Sequence, residues 1–296
     1  MRSLLPAAAA AAAGFLVGAA MVATRYVIEQ TDPASLALLR YMIGFLCLLP
    51  PVVAAERVRF APRDLLPIAL LGIVQFGVLI ALLNYGLQFI PSARGALIFA
   101  TFPLLTLIFA AILRYEALTL FKLAGVLLTI LGVGLALGGK LLPSEESGGS
   151  WVGELAVFGS ALCGAACSVL YRPYLERYPV LQVSAFAMLA SVAFLALLAA
   201  AEGFFAGLPR FTLGGWLAVL FIGVASGVGY YLWLWALRYS TPTRVTVFLA
   251  LSPVTAAALG ALLLAERISL LFLLGLACVA LGLWLAHWQP TEREAR

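Results

Sequence analysis

Long apolar runs broken by short polar punctuation fill the chain from Ser3 to His287. Crossing a hydrocarbon core of roughly 30 Å takes about 20 helical residues. Charges and Pro/Gly clusters divide the runs into ten segments of about that length, near residues 5–29, 34–55, 65–90, 92–113, 119–139, 151–171, 180–201, 213–237, 244–264 and 268–287. The runs are unbroken, whereas barrel strands alternate over about 10 residues. The pattern therefore predicts an all-α integral membrane protein with ten transmembrane helices. The opening stretch is like a secretory leader, but its apolar part runs from Ser3 to Thr24. That exceeds the about 7–15 residues of a leader's apolar region, so it is read as the first span.

Composition sharpens this picture. The chain is 64% hydrophobic and 10% charged, against about 25% charged in soluble domains. Its net charge of +5 comes from loop arginines, which gives no nucleic-acid signal. Cys47, Cys163, Cys167 and Cys278 all lie in apolar segments and read as small packing residues. No cofactor or metal is expected. An N-terminus in the cytoplasm leaves only Arg94, Lys140, Arg210 and Arg267 of the loop cations outside, as the positive-inside bias requires. Ten spans then return the C-terminus to the cytoplasm. The expected setting is a bacterial-type cytoplasmic (inner) membrane, with the protein a monomer or weak homodimer.

The chain also repeats itself. A shift of 150 residues superimposes Arg94 on Arg244, Pro103 on Pro253, Glu116 on Glu266, Gly125 on Gly275 and Gly132 on Gly282. Earlier in the halves a shift of 146 brings Gly18 onto Gly164 and Pro33 onto Pro179. Two five-helix repeats follow, residues 1–140 and 151–296, joined by a linker at 141–150. An odd number of spans per repeat inverts the second copy in the bilayer. Inverted repeats are typical of secondary transporters, whose sites lie near the midplane between the copies. Duplicated scaffolding without transport is the plainer reading.

Two copies of one pattern carry a resemblance. The segments FPLLTLIFAAILRYEALTLFKLAGVLLTILG (102–132) and SPVTAAALGALLLAERISLLFLLGLACVALG (252–282) each hold a proline, a glutamate and a Gly-x6-Gly pair, and an early Pro-x6-Arg segment runs from Pro33 to Arg40. Together they resemble the EamA-type branch of the drug/metabolite transporter superfamily. Arg40 departs from the pattern, since Phe186 stands at its image. The resemblance implies a ten-helix exporter of amino acids or related metabolites. It also implies that helices 1, 3, 4, 6, 8 and 9 line a cavity.

Within the spans, Pro103 and Pro253 are expected to kink their helices and free the carbonyls of Phe99 and Leu249. The few polar side chains at depth are expected to face inward: Gln75, Thr101, Thr106, Ser226, Tyr230, Ser252 and Thr255. Serine and threonine also bond their own helix, which is the plainer account of each. Phe99, Phe102, Tyr230, Trp233 and Phe248, with Leu79, are candidates for an apolar, aromatic cavity wall. Ordinary helix packing competes with that role. Arg40, Glu116 and Glu266 are read as structural charges. No carboxylate is expected near a span centre, and His287 is the sole histidine, at the last span's end. This favours gradient-driven movement over proton coupling. Nothing supplies a nucleophile–base pair or metal set at depth, so no enzyme is predicted. The expected partners are a small-molecule substrate and the lipid bilayer. The favoured activity is export of a small metabolite, a hydrophobic or aromatic amino acid above all, by alternating access. A lipid or polar-lipid carrier on the same architecture is the alternative.

Overall fold

A computed structural model describes residues 4–27, 30–56, 58–87, 89, 98–137, 151–207, 209–252, 254–255, 258–259 and 270–287. The linker at 141–150, Pro253 and Glu266 lie outside the described residues. Among those described, the structure is helical with no strand.

The first half contains α1 (Leu4–Val27), α2 (Pro33–Ala54), α3 (Pro62–Gly72), a π-helical turn (Ile73–Val78), α4 (Leu79–Leu87), α5 (Phe102–Ile112) and α6 (Leu120–Leu137). The second contains α7 (Trp151–Leu170), α8 (Arg172–Arg177), α9 (Val180–Ala201), α10 (Leu213–Tyr239), α11 (Pro242–Thr246), a 3₁₀ turn (Val247–Ala250) and α12 (Leu270–His287). Six helical stretches are long and apolar enough to cross a membrane: Leu4–Thr24, Pro33–Ala54, Pro62–Gly86, Trp151–Arg177, Val180–Ala201 and Leu213–Tyr239. Three shorter apolar helices, Phe102–Ile112, Leu120–Leu135 and Leu273–Ala286, fall in further expected segments. The remaining segment, 244–264, is described only in part.

Helix starts follow local chemistry. Proline stands in the first turn of α2, α3, α5, α8 and α11, where its missing N–H costs nothing and its fixed φ suits the helix. The Thr212 hydroxyl caps α10 by accepting from the Gly215 N–H at 3.0 Å. Arg114, at φ 58°, ends α5 in the left-handed region. The Tyr115 N–H then reaches back to the Ala110 carbonyl at 2.8 Å, which satisfies an end carbonyl.

The most extensive helix pairings join one half to the other: α6 with α12, α1 with α10, α2 with α10 and α9, and α4 with α7. They come as images. The α1–α10 pairing mirrors α7–α4, and α2–α10 mirrors α9–α3. The repeats therefore interlock, and the core lies between them. Small residues permit the approach. A Cβ on Gly125 would stand 2.7 Å from the Gly282 carbonyl oxygen, and one on Gly132 would stand 2.7 Å from that of Gly275. These two contacts are images under the 150-residue shift. Large apolar side chains such as Leu66, Leu131, Leu197 and Leu281 point outward, as a lipid-facing surface requires.

Carboxylates tie the halves at helix ends. Asp64 accepts from Arg177 Nη1 at 2.9 Å and from the Tyr178 hydroxyl at 2.7 Å. Glu202 accepts from the Ala34 and Ser35 N–H groups at 3.0 and 2.8 Å, at the start of α2. Glu116 accepts from the Thr243 N–H at 2.9 Å, in the first turn of α11, and pairs with Lys122 Nζ at 2.6 Å. Glu116, read as a structural charge, thus also caps a helix of the other half, because a carboxylate suits the orphan N–H groups there.

Candidate functional site

Where the halves meet, aromatic side chains from five helical stretches pack in tilted and T-shaped pairs. On α10, Ser226, Tyr230 and Trp233 recur at the i, i+4, i+7 spacing that shares one helix face. The Phe76 ring meets Tyr230 at 4.3 Å and Tyr41 at 4.7 Å. Tyr171 lies 6.3 Å from Tyr230 on the other side. Phe102 meets Phe99 at 5.5 Å and Trp233 at 6.3 Å. Tilted and T-shaped pairs of this kind contribute about 0.5–1.5 kcal/mol each beyond burial.

Arg40 enters this cluster from α2. Glycines set its reach. The α2–α10 crossing is close because a Cβ on Gly227 would stand 2.6 Å from the Gly44 carbonyl oxygen, and one on Gly223 3.2 Å from that of Arg40. Arg40 Nε then donates to Ser226 Oγ at 2.6 Å, while the Ser226 hydroxyl donates to its own Ile222 carbonyl at 2.7 Å. Arg40, read as a structural charge, thus bridges the second helix of one half and the long α10 of the other. No carboxylate among the described residues pairs with it.

Two hydroxyls in the cluster stand out. Tyr171 and Tyr230 are both buried with their hydroxyls close to one another, and among the described residues neither hydroxyl meets a hydrogen bond of ordinary geometry. Buried polar groups are seldom left so. Gln75 lies one residue from Phe76 within the π-helical turn, where the Leu79 N–H reaches five residues back to the Val74 carbonyl. Gln75 is half-buried.

Other expected residues take plainer positions. The Thr101 and Thr106 hydroxyls donate to the Ile98 and Phe102 carbonyls at 2.7 and 2.9 Å, within their own chain segments. Leu79 and Phe102 both pack over Gly164 of α7. Phe248 and Ser252 lie against α1: a Cβ on Gly14 would stand 2.5 Å from the Phe248 carbonyl oxygen, and the Ser252 hydroxyl contacts Met21 Sδ at 3.4 Å. Thr255 has a buried hydroxyl without a partner among the described residues.

Pro103 differs from expectation. It stands in the first turn of α5, after a turn at Ala100–Thr101, instead of inside a helix. The span is interrupted, not kinked, because a helix start needs no N–H from that residue. The second half breaks at the matching place, with the 3₁₀ turn at Val247–Ala250. Tyr41, Phe76 and Tyr171 were missed by the sequence reading. Tyr41 adjoins Arg40 and Phe76 adjoins Gln75, which was the available signal.

The comparisons agree with this architecture. A solved crystal structure superposes with a TM-score of 0.81, covering 95% of this chain and 96% of its own, at 23% identity. An uncharacterized transporter of Archaeoglobus fulgidus is 27% identical over 90% of this chain and 93% of its own length. A WAT1-related protein of Arabidopsis thaliana is 27% identical over 88% of this chain and 78% of its own. A probable terminal-alkyne amino-acid exporter of Streptantibioticus cattleyicolor is 28% identical over 78% of this chain and 76% of its own. The pattern defining the EamA-like transporter family matches twice, over residues 4–138 and 151–288. The chain belongs to the EamA-like transporter family, of the drug/metabolite transporter superfamily, and is a multi-pass membrane protein.

Proposed function

We propose that this transporter exports an amino acid or a similar small zwitterion, hydrophobic or aromatic ones favoured, by alternating access between its two halves. The carrying observation is Arg40. A guanidinium at depth in a membrane is costly, and among the described residues this one has a single hydrogen-bonded partner, the Ser226 hydroxyl. A substrate carboxylate supplies the missing counter-charge through a charge-assisted bond. Tyr41, Phe76 and Tyr230 give an apolar, aromatic floor beside it, and the buried Tyr171 and Tyr230 hydroxyls lie close to one another at its edge. Gln75 sits in a π-helical turn, a feature frequent at functional sites. The name of the Streptantibioticus cattleyicolor relative points to the same substrate class.

In this reading residues 1–140 and 151–296 are the two inverted repeats of a ten-span protein, with 141–150 between them and both termini in the cytoplasm of an inner membrane. The paired interruptions at Ala100–Thr101 and Val247–Ala250 act as hinges. Movement follows the substrate gradient, since the carboxylates that tie the halves, Asp64, Glu116 and Glu202, all engage helix ends.

Counterflow in proteoliposomes with a panel of labelled amino acids tests this. Exchange is expected for at least one hydrophobic or aromatic member. Arg40→Ala should cut it about ten-fold or more, the loss of one bond to a charged group, with Arg40→Lys intermediate. No exchange with any amino acid removes the substrate class. Full exchange in a folded Arg40→Ala protein returns Arg40 to a structural role.

A further inference from the structure

A second site lies away from the midplane, where α1, the α7–α8 junction and the α10–α11 junction meet at a membrane face. A cavity of about 290 Å³ there is lined by three arginines, Arg172, Arg238 and Arg244, with Tyr239 and Thr241 among its other walls. Their hydrogen-bond accounts do not close. Arg172 Nε pairs with the exposed Glu176 at 3.2 Å, and its guanidinium lies 5.6 Å over the Tyr115 ring. Its Nη1 is buried without a partner among the described residues. Arg238 Nη1 makes one long bond to the Tyr178 carbonyl, at 3.3 Å, and stacks over Tyr239. Arg244 Nε and the Thr241 hydroxyl are buried without partners among the described residues. The other nearby carboxylate, Glu116, is already engaged by Lys122 and the Thr243 N–H.

Three cations thus converge on one cavity with one solvent-exposed counter-charge among the described residues. Like charges so placed repel, and buried donors without acceptors add a desolvation cost. Both costs fall when an oxyanion with several acceptors occupies the cavity. Arginine forks match phosphate oxygens bidentately, and basic pockets between membrane helices are known to seat phosphate headgroups.

We propose that this pocket binds a phosphate-type oxyanion, carried either by an anionic lipid headgroup or by free inorganic phosphate. The site is separate from the Arg40 cluster, so it stands or falls independently of the transport reading.

The test uses the full chain in nanodiscs of phosphatidylcholine. Thermal unfolding is followed with increasing phosphatidylglycerol, and separately with inorganic phosphate against chloride at matched ionic strength. Native mass spectrometry counts retained phosphatidylglycerol. Wild-type protein is expected to gain about 3 °C or more from one of the two sources. Arg244→Gln, and equally Arg172→Gln or Arg238→Gln, should weaken that response about ten-fold or more. Arg210→Gln, before the far end of α10, should leave it unchanged. A gain from phosphatidylglycerol alone identifies a lipid headgroup, and a gain from phosphate alone identifies a free anion. No gain from either source overturns the site. So does a gain that every folded arginine variant retains in full.

Discussion

Gly18 in α1 and Gly164 in α7 hold the same place in the two halves, yet different groups lean on them. The Ser252 backbone carbonyl presses on Gly18, and the Phe102 ring presses on Gly164. Ser252 and Phe102 are themselves images under the 150-residue shift. One contact is backbone on backbone. The other places an aromatic ring over the glycine and onward to Trp233. The repeat preserves the glycine and the approaching segment, while the side chain delivered there is free to change. Asymmetry between the copies is thus built on a symmetric frame.

The largest expected effect follows from the stiffer contact. Gly18→Val puts a side chain into a backbone carbonyl that has nowhere to rotate, and should prevent stable folding in detergent. Truncating the neighbour, as in Gly18→Val with Ser252→Ala, should give no rescue, because the obstructing atom is main chain. A folded double variant with near-normal thermal unfolding would show that α1 and the 247–252 segment separate readily.

Next in size is the softer contact. Gly164→Ala meets the end of a side chain, so it should cost about 1–3 kcal/mol, the range for an overpacked core. Here a second change should help: Gly164→Ala with Phe102→Leu should unfold above the single variant. Thermal unfolding of the four proteins in the cycle decides it. Simple additivity of the two changes would mean that the ring does not bear on Gly164.

These contacts also mark how far the sequence could be read. The 146-residue match of Gly18-Ala19-Ala20 with Gly164-Ala165-Ala166 named the two glycines, and the Gly-x6-Gly pairs named the α6–α12 crossing. Both are small-residue signals that survive as spacing. The start of α5 was legible too, since Thr101-Phe102-Pro103 carries a proline suited to a first turn, but mid-span position was given more weight. Contacts between distant segments left no such trace. Arg40 reaches Ser226 across 186 positions, and Glu116 reaches Thr243 across 127. The π-helical turn at Ile73–Val78 is likewise set by tertiary packing: Gly72 lies under the Ala187 backbone and Gly77 under the Phe194 ring. Its image in α10 runs unbroken. Sequence could not separate Thr106, bonded to its own helix, from Tyr230, whose hydroxyl is buried without an ordinary hydrogen bond among the described residues.

The smallest expected effect concerns the two ends of the molecule. Glu202 follows α9 and caps α2 with both carboxylate oxygens, taking the Ser35 hydroxyl as well at 3.0 Å. Its image is Glu56, which follows α2 and faces the start of α9. There the carboxylate is exposed, and the Glu56 carbonyl instead accepts from Gln182 Nε2 at 3.4 Å. Glu202→Ala should therefore cost about 1 kcal/mol, the usual loss on removing a helix-capping group. It should also speed amide hydrogen exchange over residues 34–36. Glu56→Ala should stay within about 0.5 kcal/mol, as surface changes do. Equal losses would carry a different message. They would mean that Glu56 caps α9 for part of the time in solution, so that the tie passes from one membrane face to the other and the asymmetry belongs to a single conformer. Unequal losses place it in the sequence of the two faces themselves.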